Sequence, residues 1–346
     1  MELPKVVSKP RSFRKQYYFL NRLFNFYFRY HADSGLEDKT NAFFDEFQIG
    51  AVFNIAHSLT STPKALALAT SLTLQEFQDD GCCYLELRST PRETPYSRQS
   101  LHYYYLVLVR GGLIIMKIKL ACIVFRKSSL HLTMMSRLII SINRKSPISE
   151  AEEIAKLAVQ CYKKYPDVVV GIELSGDPMV GEFKSFVPAL LEAKEAGLKV
   201  TLHCGEVCNP EEILEMLKFK PDRLGHGTCI HPKYGGTEET WSTLCKLKIP
   251  PRPIAIVCLT SNVNTKSTPD YDSHHFKLLY DAEVPVIICT DDKGVFATSL
   301  SREYQICVNT FSLTSSQTAR LALNACQYVF DDSDSDRTTI QNFNDI

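Results

Sequence analysis

Three short polar segments in the C-terminal half of the sequence each lie where a buried strand is predicted to end. Glu206 follows His203 after two residues, His226 lies between two glycines, and Asp291 and Asp292 are adjacent. Apolar runs rich in β-branched residues are typical of buried strands, so these polar groups would lie just past strand ends. Imidazoles and carboxylates that meet at one edge of a parallel sheet can bind a metal ion and transfer protons. The pattern therefore predicts the site of a metal-assisted hydrolase.

Each segment alone also has a simpler structural explanation. His203 could be a hydrogen-bonded histidine at the rim of a sheet, and His226 a histidine in a tight turn. The adjacent aspartates are the strongest of the three signals, because neither would be placed at a strand end for packing. One carboxylate can bind a cation while its neighbour points into a pocket. The three segments together favour the functional interpretation.

Predicted strands and helices alternate around these residues. Strands are predicted at 83–88, 137–142, 167–174, 199–202, 223–224, 255–259 and 284–289. Helices are predicted at 62–78, 149–165 and 180–196, after Asn209, and at 299–311 and 315–330. This alternation, with polar groups after each strand, indicates an α/β protein with a parallel (β/α)8 TIM barrel.

The barrel prediction leaves one strand to be found. Such barrels close with eight strands, so the missing first strand should precede His57, where the sequence has no clear strand or helix period. A doubly wound open sheet is the alternative, but no glycine-rich phosphate loop follows any predicted strand. We expect a single domain over residues 1–346.

The composition indicates a soluble globular protein. Lys+Arg and Asp+Glu both number 39, so no net charge attracts nucleic acid or an acidic membrane. The 12 cysteines include no CxxC pair and mostly lie in apolar runs, which favours reduced thiols in the cytoplasm. The polar, basic N-terminus predicts no signal peptide, and charges within 101–125 argue against a membrane helix. We expect a cytoplasmic monomer.

Several segments resemble the adenosine deaminase family, whose members are zinc-dependent (β/α)8 barrels. The similar motifs are His203-x-x-Glu206, Gly225-His226-Gly227-Thr228, Thr260-Ser261-Asn262 and Thr290-Asp291-Asp292. The segments 84–92, 172–178 and 291–296 resemble, more narrowly, family members that act on N6-methyl-AMP. The resemblance spans about 57–95 and 138–330, whereas 1–56 and 101–135 match poorly.

The resemblance implies hydrolytic deamination of N6-substituted purine nucleoside monophosphates, with N6-methyl-AMP giving IMP and methylamine. His203 and Asp291 would bind one Zn²⁺ per chain, Glu206 would protonate the purine ring, and His226 would orient the attacking hydroxide. Arg92 would make a bidentate contact with the phosphate. The residues implied in substrate binding are His57, Ser89, Thr90, Pro91, Arg92, Asn143, Gly176 and Asp292.

One family feature is missing from the sequence. The family's first strand carries His-x-His, which supplies two zinc ligands, but no His-x-His occurs in this chain. A catalytic zinc site usually has three protein ligands, and only two are identified. The adjacent His274 and His275 are predicted to be surface histidines, and nothing around His31 resembles a strand end. Two alternatives stay open: a catalytically impaired barrel that binds nucleotides, and an adenosine deaminase that acts on the free nucleoside.

Overall fold

The strands form one parallel sheet of seven strands in the order β1 to β7. The structure is a computed structural model that describes residues 53–54, 56–60, 63–91, 134–247 and 254–330. The strands are β1 (Tyr84–Ser89), β2 (Met135–Asn143), β3 (Val169–Ser175), β4 (Lys199–Cys204), β5 (Arg223–His226), β6 (Ile254–Val257) and β7 (Val286–Ile288). Every predicted strand is present, whereas the expected first strand of the barrel precedes the described ranges.

Helices follow most of the strands and cover the outside of the sheet. They are α1 (Pro63–Asp79), α2 (Ile148–Lys164), α3 (Phe183–Glu195), α4 (Pro210–Phe219), α5 (Glu238–Lys246), α6 (Leu259–Asn264), α7 (Phe276–Asp281), α8 (Lys293–Phe296), α9 (Leu300–Phe311) and α10 (Ser315–Cys326). The predicted helices are confirmed, although α10 ends at Cys326 rather than at residue 330. In the part of the chain that the structure describes, no helix is long and apolar enough to cross a membrane.

Local sequence explains where the helix after β4 begins. The Asn209 side chain accepts a hydrogen bond from the backbone N–H of Glu212, and Pro210 occupies the first helical turn of α4. Both features are typical of helix N-termini, since the side chain satisfies an N–H that has no partner within the helix. The start of α4 therefore ends the loop that carries Glu206.

The core lies on both faces of the sheet, and buried apolar side chains from the strands fill it on either side. All seven residues of β3 are buried, including Glu173 within the apolar run. Helices α2 and α3 pack against the outer face through side chains such as Ile154 and Leu190, which are fully buried. Parallel sheets that are covered on both faces have this composition. A charged side chain in such a strand consequently needs a buried partner.

A buried ion pair connects the first and fifth strands to the C-terminal end of the described chain. Arg223 on β5 contacts both carboxylate oxygens of Glu86 on β1 and donates to the carbonyl of Tyr328. Its guanidinium carbon lies 3.5 Å from the ring centroid of Phe330, whose backbone N–H donates to Glu86 at 2.6 Å. The two charged side chains are only 6% and 8% exposed. Each charge is therefore stabilised by the other.

Removing one partner of this pair should destabilise the fold strongly. Arg223→Leu is expected to lower the free energy of unfolding by about 3–5 kcal/mol, because it leaves an uncompensated buried carboxylate. Urea denaturation followed by circular dichroism measures the change. The control is Lys277→Ala, which breaks the exposed pair between Lys277 and Asp281 and should lower the free energy of unfolding by less than about 1 kcal/mol. Equal effects of the two substitutions would contradict the role of burial.

Candidate active site

The residues predicted to do chemistry meet at the carboxyl ends of β4, β5 and β7. The ring centroids of His203 and His226 are 5.0 Å apart. His226 Nε2 lies 3.5 Å from Glu206 Oε1 and 3.8 Å from Asp291 Oδ2. His203, His226, Asp291 and Asp292 line a cavity of about 850 Å³. The sequence-based expectation that the three segments converge is therefore confirmed.

The register between β4 and β5 sets the spacing of the two histidines. His203 is paired with Gly225, and Cys204 with His226. A Cβ atom at Gly225 would lie 3.3 Å from His203 Nδ1, closer than ordinary van der Waals contact. A side chain at this position would push against the imidazole. Glycine therefore lets the His203 ring lie against β5 and face His226.

Two of the site residues have an unusual backbone conformation. His226 and Asp291 have φ values of +61° and +53°, in the left-handed region that few residues other than glycine adopt. Each such residue costs free energy, on the order of 1–3 kcal/mol, which the surrounding structure must offset. This backbone conformation directs both side chains into the cavity at the end of the sheet, as a functional role for both would require.

A positive charge already lies between the two expected metal ligands. Arg88 Nη1 donates to His203 Nε2 at 2.7 Å, and Arg88 Nη2 donates to Asp291 Oδ1 at 3.3 Å. A guanidinium has only donors, so His203 Nε2 must present its lone pair. The other ring nitrogen, Nδ1, lies 3.2 Å from Glu173 Oε1, so the carboxylate is close enough to favour a proton on Nδ1. The lone pair of His203 Nε2 and the carboxylate of Asp291 are therefore arranged to bind a cation.

The adjacent aspartates have opposite protonation preferences. Burial and the neighbouring charge of Asp291 raise the pKa of Asp292 above its usual range. Burial also opposes the charge of Asp291, but His226 and Arg88 outweigh it and lower the pKa of Asp291. Asp291 thus stays ionised, as a metal ligand must be, while Asp292 is the more easily protonated neighbour.

Further atoms that could bind a metal ion lie close to these residues. Within the described ranges, ligand atoms of His203, Glu206 and His226 lie within 4.8 Å of one another, as do those of His226, Cys258 and Asp291. The roles of Cys258, Arg88 and Glu173 were not predicted from the sequence. Glu173 could have been found, because a glutamate inside the apolar run of β3 needs a charged partner.

The prediction that His274 and His275 are surface histidines is wrong. Their side chains are 1% and 2% exposed, and their rings stack with centroids 4.3 Å apart. The fully buried Phe276 begins α7 directly after them, which draws the preceding residues into the core. Thr260, Ser261 and Asn262 also differ from expectation, because they lie in α6 rather than in a strand-end loop. Ser261 donates to Asp291 Oδ2 at 2.8 Å.

The residues implied in substrate binding lie at several strand ends. Asn143 ends β2, and Gly176 follows β3 with a φ of +103°, where a Cβ atom would lie 2.7 Å from Asn143 Oδ1. Ser89 ends β1 and is exposed, Thr90 and Pro91 follow it half-buried, and His57 is exposed. Arg92 lies outside the described residues. The structure therefore brings Asn143 and Gly176 together.

Comparison with known proteins gives consistent matches. Residues 35–345 match the family model described as adenosine deaminase. N6-Methyl-AMP deaminase of Bos taurus is 39% identical over 280 residues, which cover 81% of this chain and 75% of that protein. The crystal structure of Arabidopsis N6-mAMP deaminase has 32% identity and a TM-score of 0.75, covering 95% of this chain and 93% of that one. The Arabidopsis ADAL structure complexed with IMP has the same identity and TM-score, covering 95% and 92%.

Proposed function

This chain belongs to the adenosine deaminase family, and on that basis we propose that it hydrolyses N6-methyl-AMP to IMP and methylamine. The observation that carries the proposal is the convergence of His203, Glu206, His226 and Asp291 at one end of a sheet that matches N6-mAMP deaminase. The chain is thus a hydrolase of the deaminase class, with a purine nucleotide as the proposed substrate and a cytoplasmic monomer as the proposed form.

We propose that His203 and Asp291 hold one Zn²⁺. The family is metal-dependent, and the two side chains already hold a positive charge between them. When bound, the ion supplies a water molecule whose pKa falls to about 7. Glu173 keeps the lone pair of His203 Nε2 facing this position, since it lies beside the other ring nitrogen.

The side chains around this position divide the proton transfers among them. Glu206 delivers a proton to the purine ring nitrogen, so that water addition at C6 does not build an unsupported anion. The bond from C6 to the exocyclic nitrogen then breaks, and methylamine leaves with one proton of the attacking water, while the other water proton restores the acid form of Glu206. His226, 3.5 Å from Glu206 and 3.8 Å from Asp291, orients the attacking oxygen.

We assign the remaining contacts with the nucleotide from position in the fold and from the family motifs. Gly176 offers backbone contact to the purine, and its lack of a side chain leaves room beside Asn143, which faces the ribose. Asp292 contacts the imidazole side of the purine. The sugar and phosphate contact His57 and the segment at the end of β1, which consists of Ser89, Thr90, Pro91 and Arg92.

Turnover of matched substrates tests the proposal. Purified full-length chain supplied with Zn²⁺ should release methylamine and form IMP from N6-methyl-AMP, with a much lower kcat/KM for N6-methyladenosine. The charge-assisted contacts of Arg92 with the phosphate are worth about 1.5–3 kcal/mol, or roughly 10–150-fold. Arg92→Ala should therefore reduce kcat/KM for the nucleotide by that factor and leave the nucleoside unchanged. Equal losses for both substrates would remove the phosphate role.

A second candidate function is nucleotide binding without catalysis. Two observations favour it: the sequence contains no His-x-His, and the guanidinium of Arg88 occupies the position between His203 and Asp291. Isothermal titration calorimetry with IMP separates the candidates. Binding of IMP combined with no methylamine release would identify the impaired barrel, whereas turnover would exclude it.

A further inference from the structure

A chain of buried polar groups reaches His226 from the side opposite the cavity. Asn262 Nδ2 lies 3.1 Å from His226 Nδ1, and Asn262 Oδ1 lies 3.2 Å from His274 Nε2. The backbone N–H of Phe276 completes the chain by donating to His274 Nδ1 at 3.0 Å. His226 is 5% exposed, and Asn262 and His274 are each 1% exposed. Buried networks of this kind are stabilising only when each donor faces an acceptor.

The backbone N–H of Phe276 determines the direction of every hydrogen bond in this series of polar groups. It can only donate, so His274 Nδ1 must accept and His274 Nε2 must carry the proton. His274 Nε2–H then donates to Asn262, which places the amide oxygen there and the amide nitrogen beside His226. That nitrogen can only donate, so His226 Nδ1 accepts. The proton of a neutral His226 therefore lies on Nε2.

We propose that His274, acting through Asn262, is a positioning residue that fixes the proton of His226 on Nε2. This inference deepens the proposed function, because His226 Nε2 is the nitrogen that faces Glu206 and Asp291. A protonated Nε2 donates to an oxygen in the cavity and has no lone pair for a metal ion. His226 is thereby a hydrogen-bond donor to the attacking oxygen, and Nε2 is excluded as a third metal ligand.

Ser267 holds the amide of Asn262 in the same orientation. Asn262 Nδ2 also donates to Ser267 Oγ at 3.0 Å, and the Ser267 hydroxyl donates to the backbone carbonyl of Asn262 at 3.1 Å. The hydroxyl proton is therefore used, and its oxygen is free to accept from the amide. Turning the amide by 180° would lose this bond and place its nitrogen against the proton of His274 Nε2.

The neighbouring His275 holds the backbone of His226. Its Nε2 lies 2.8 Å from the carbonyl oxygen of His226 and donates to it, which supports the left-handed conformation at that residue. Its ring stacks on that of His274. Burial lowers the pKa of His274 well below its ordinary value and that of His275 to about 4, in keeping with neutral rings. The pair thus positions both the backbone and the ring of His226.

Nitrogen NMR reads the tautomer without requiring turnover. Full-length protein labelled with ¹⁵N only in histidine gives long-range ¹H–¹⁵N spectra with nine histidines to assign, and His226→Gln identifies the signals of interest. We expect His226 to show an unprotonated Nδ1 and a protonated Nε2. A protonated Nδ1 in the neutral ring would overturn the proposal.

Three variants test the individual hydrogen bonds between His274, Asn262 and His226. Asn262→Asp replaces the donor with an acceptor, so Nδ1 of His226 should become protonated. His274→Leu should allow both neutral tautomers of His226, and His274→Gln should restore the single form, because its amide N–H can donate to Asn262. His231→Asn is the control. His231 is not part of this series of hydrogen bonds, so only its own signals should disappear.

The outcomes separate this inference from the proposed function. A folded His274→Leu variant should have circular dichroism like that of the wild type. An unchanged ¹⁵N pattern of His226 in that variant would show that His274 does not position His226. An unchanged pattern in Asn262→Asp would overturn the whole inference. A protein that shows the expected tautomer but releases no methylamine would contradict the proposed function alone.

Discussion

Replacing Glu206 with glutamine is expected to lower kcat for N6-methyl-AMP by about 10²–10⁴-fold, the usual contribution of a general acid. Glutamine keeps the size of the side chain and its ability to accept a hydrogen bond from His226 Nε2, 3.5 Å away. It lacks the acidic proton that the purine ring nitrogen needs before the tetrahedral intermediate can expel methylamine. The binding of IMP should change by less than tenfold, because this substitution removes little contact area.

The matched control for this experiment is Glu211→Gln. Glu211 lies in the first turn of α4, close to Glu206 in sequence, but unlike Glu206 it is not among the described groups whose ligand atoms cluster with those of His203 and His226. Steady-state kinetics over a range of pH values should show wild-type kcat for this control. If Glu206→Gln retains more than a tenth of wild-type kcat, another group donates the proton.

Much of the fold could be predicted from local sequence, because strands and helices here have distinct patterns. The strands β4 and β7 follow from apolar, β-branched runs, and α4 from Asn209 and Pro210 at its start. The short helices gave no such signal. Helices α6 and α7 have six residues each, which is too few for helical periodicity to be recognised. Their presence depends on contacts with the rest of the barrel.

The candidate site was predictable only in part, for a related reason. Strand ends identify His203 and Asp291, since polar groups after apolar runs are unusual, whereas His226 is marked by the glycines on either side of it. Strands buried on both faces do not reveal which side chains point into the barrel, so the position of Arg88 between two site residues could not be inferred. The burial of His274 likewise depends on residues that are distant in sequence.

Substitution of either proposed zinc ligand should remove the metal. We expect Asp291→Asn and His203→Gln each to weaken Zn²⁺ binding by more than about 100-fold, because the loss of an outer partner alone costs about 10–100-fold. Glu173→Gln tests that outer contact, since Glu173 Oε1 lies 3.2 Å from His203 Nδ1, and should fall within the smaller range. Competition with a chromogenic chelator measures all three affinities without reference to turnover.

The arrangement around Arg88 makes the wild-type measurement informative as well. A metal ion held by His203 and Asp291 must displace the guanidinium that now contacts both, so binding requires Arg88 to turn towards Glu173 and Asp292. His231→Asn, which alters a histidine outside the site, should bind Zn²⁺ as the wild type does. If His203→Gln and Asp291→Asn also match the wild type, these residues are not the ligands. If the wild type itself retains no Zn²⁺, the missing His-x-His is decisive, and binding of IMP without turnover would then identify a nucleotide-binding barrel.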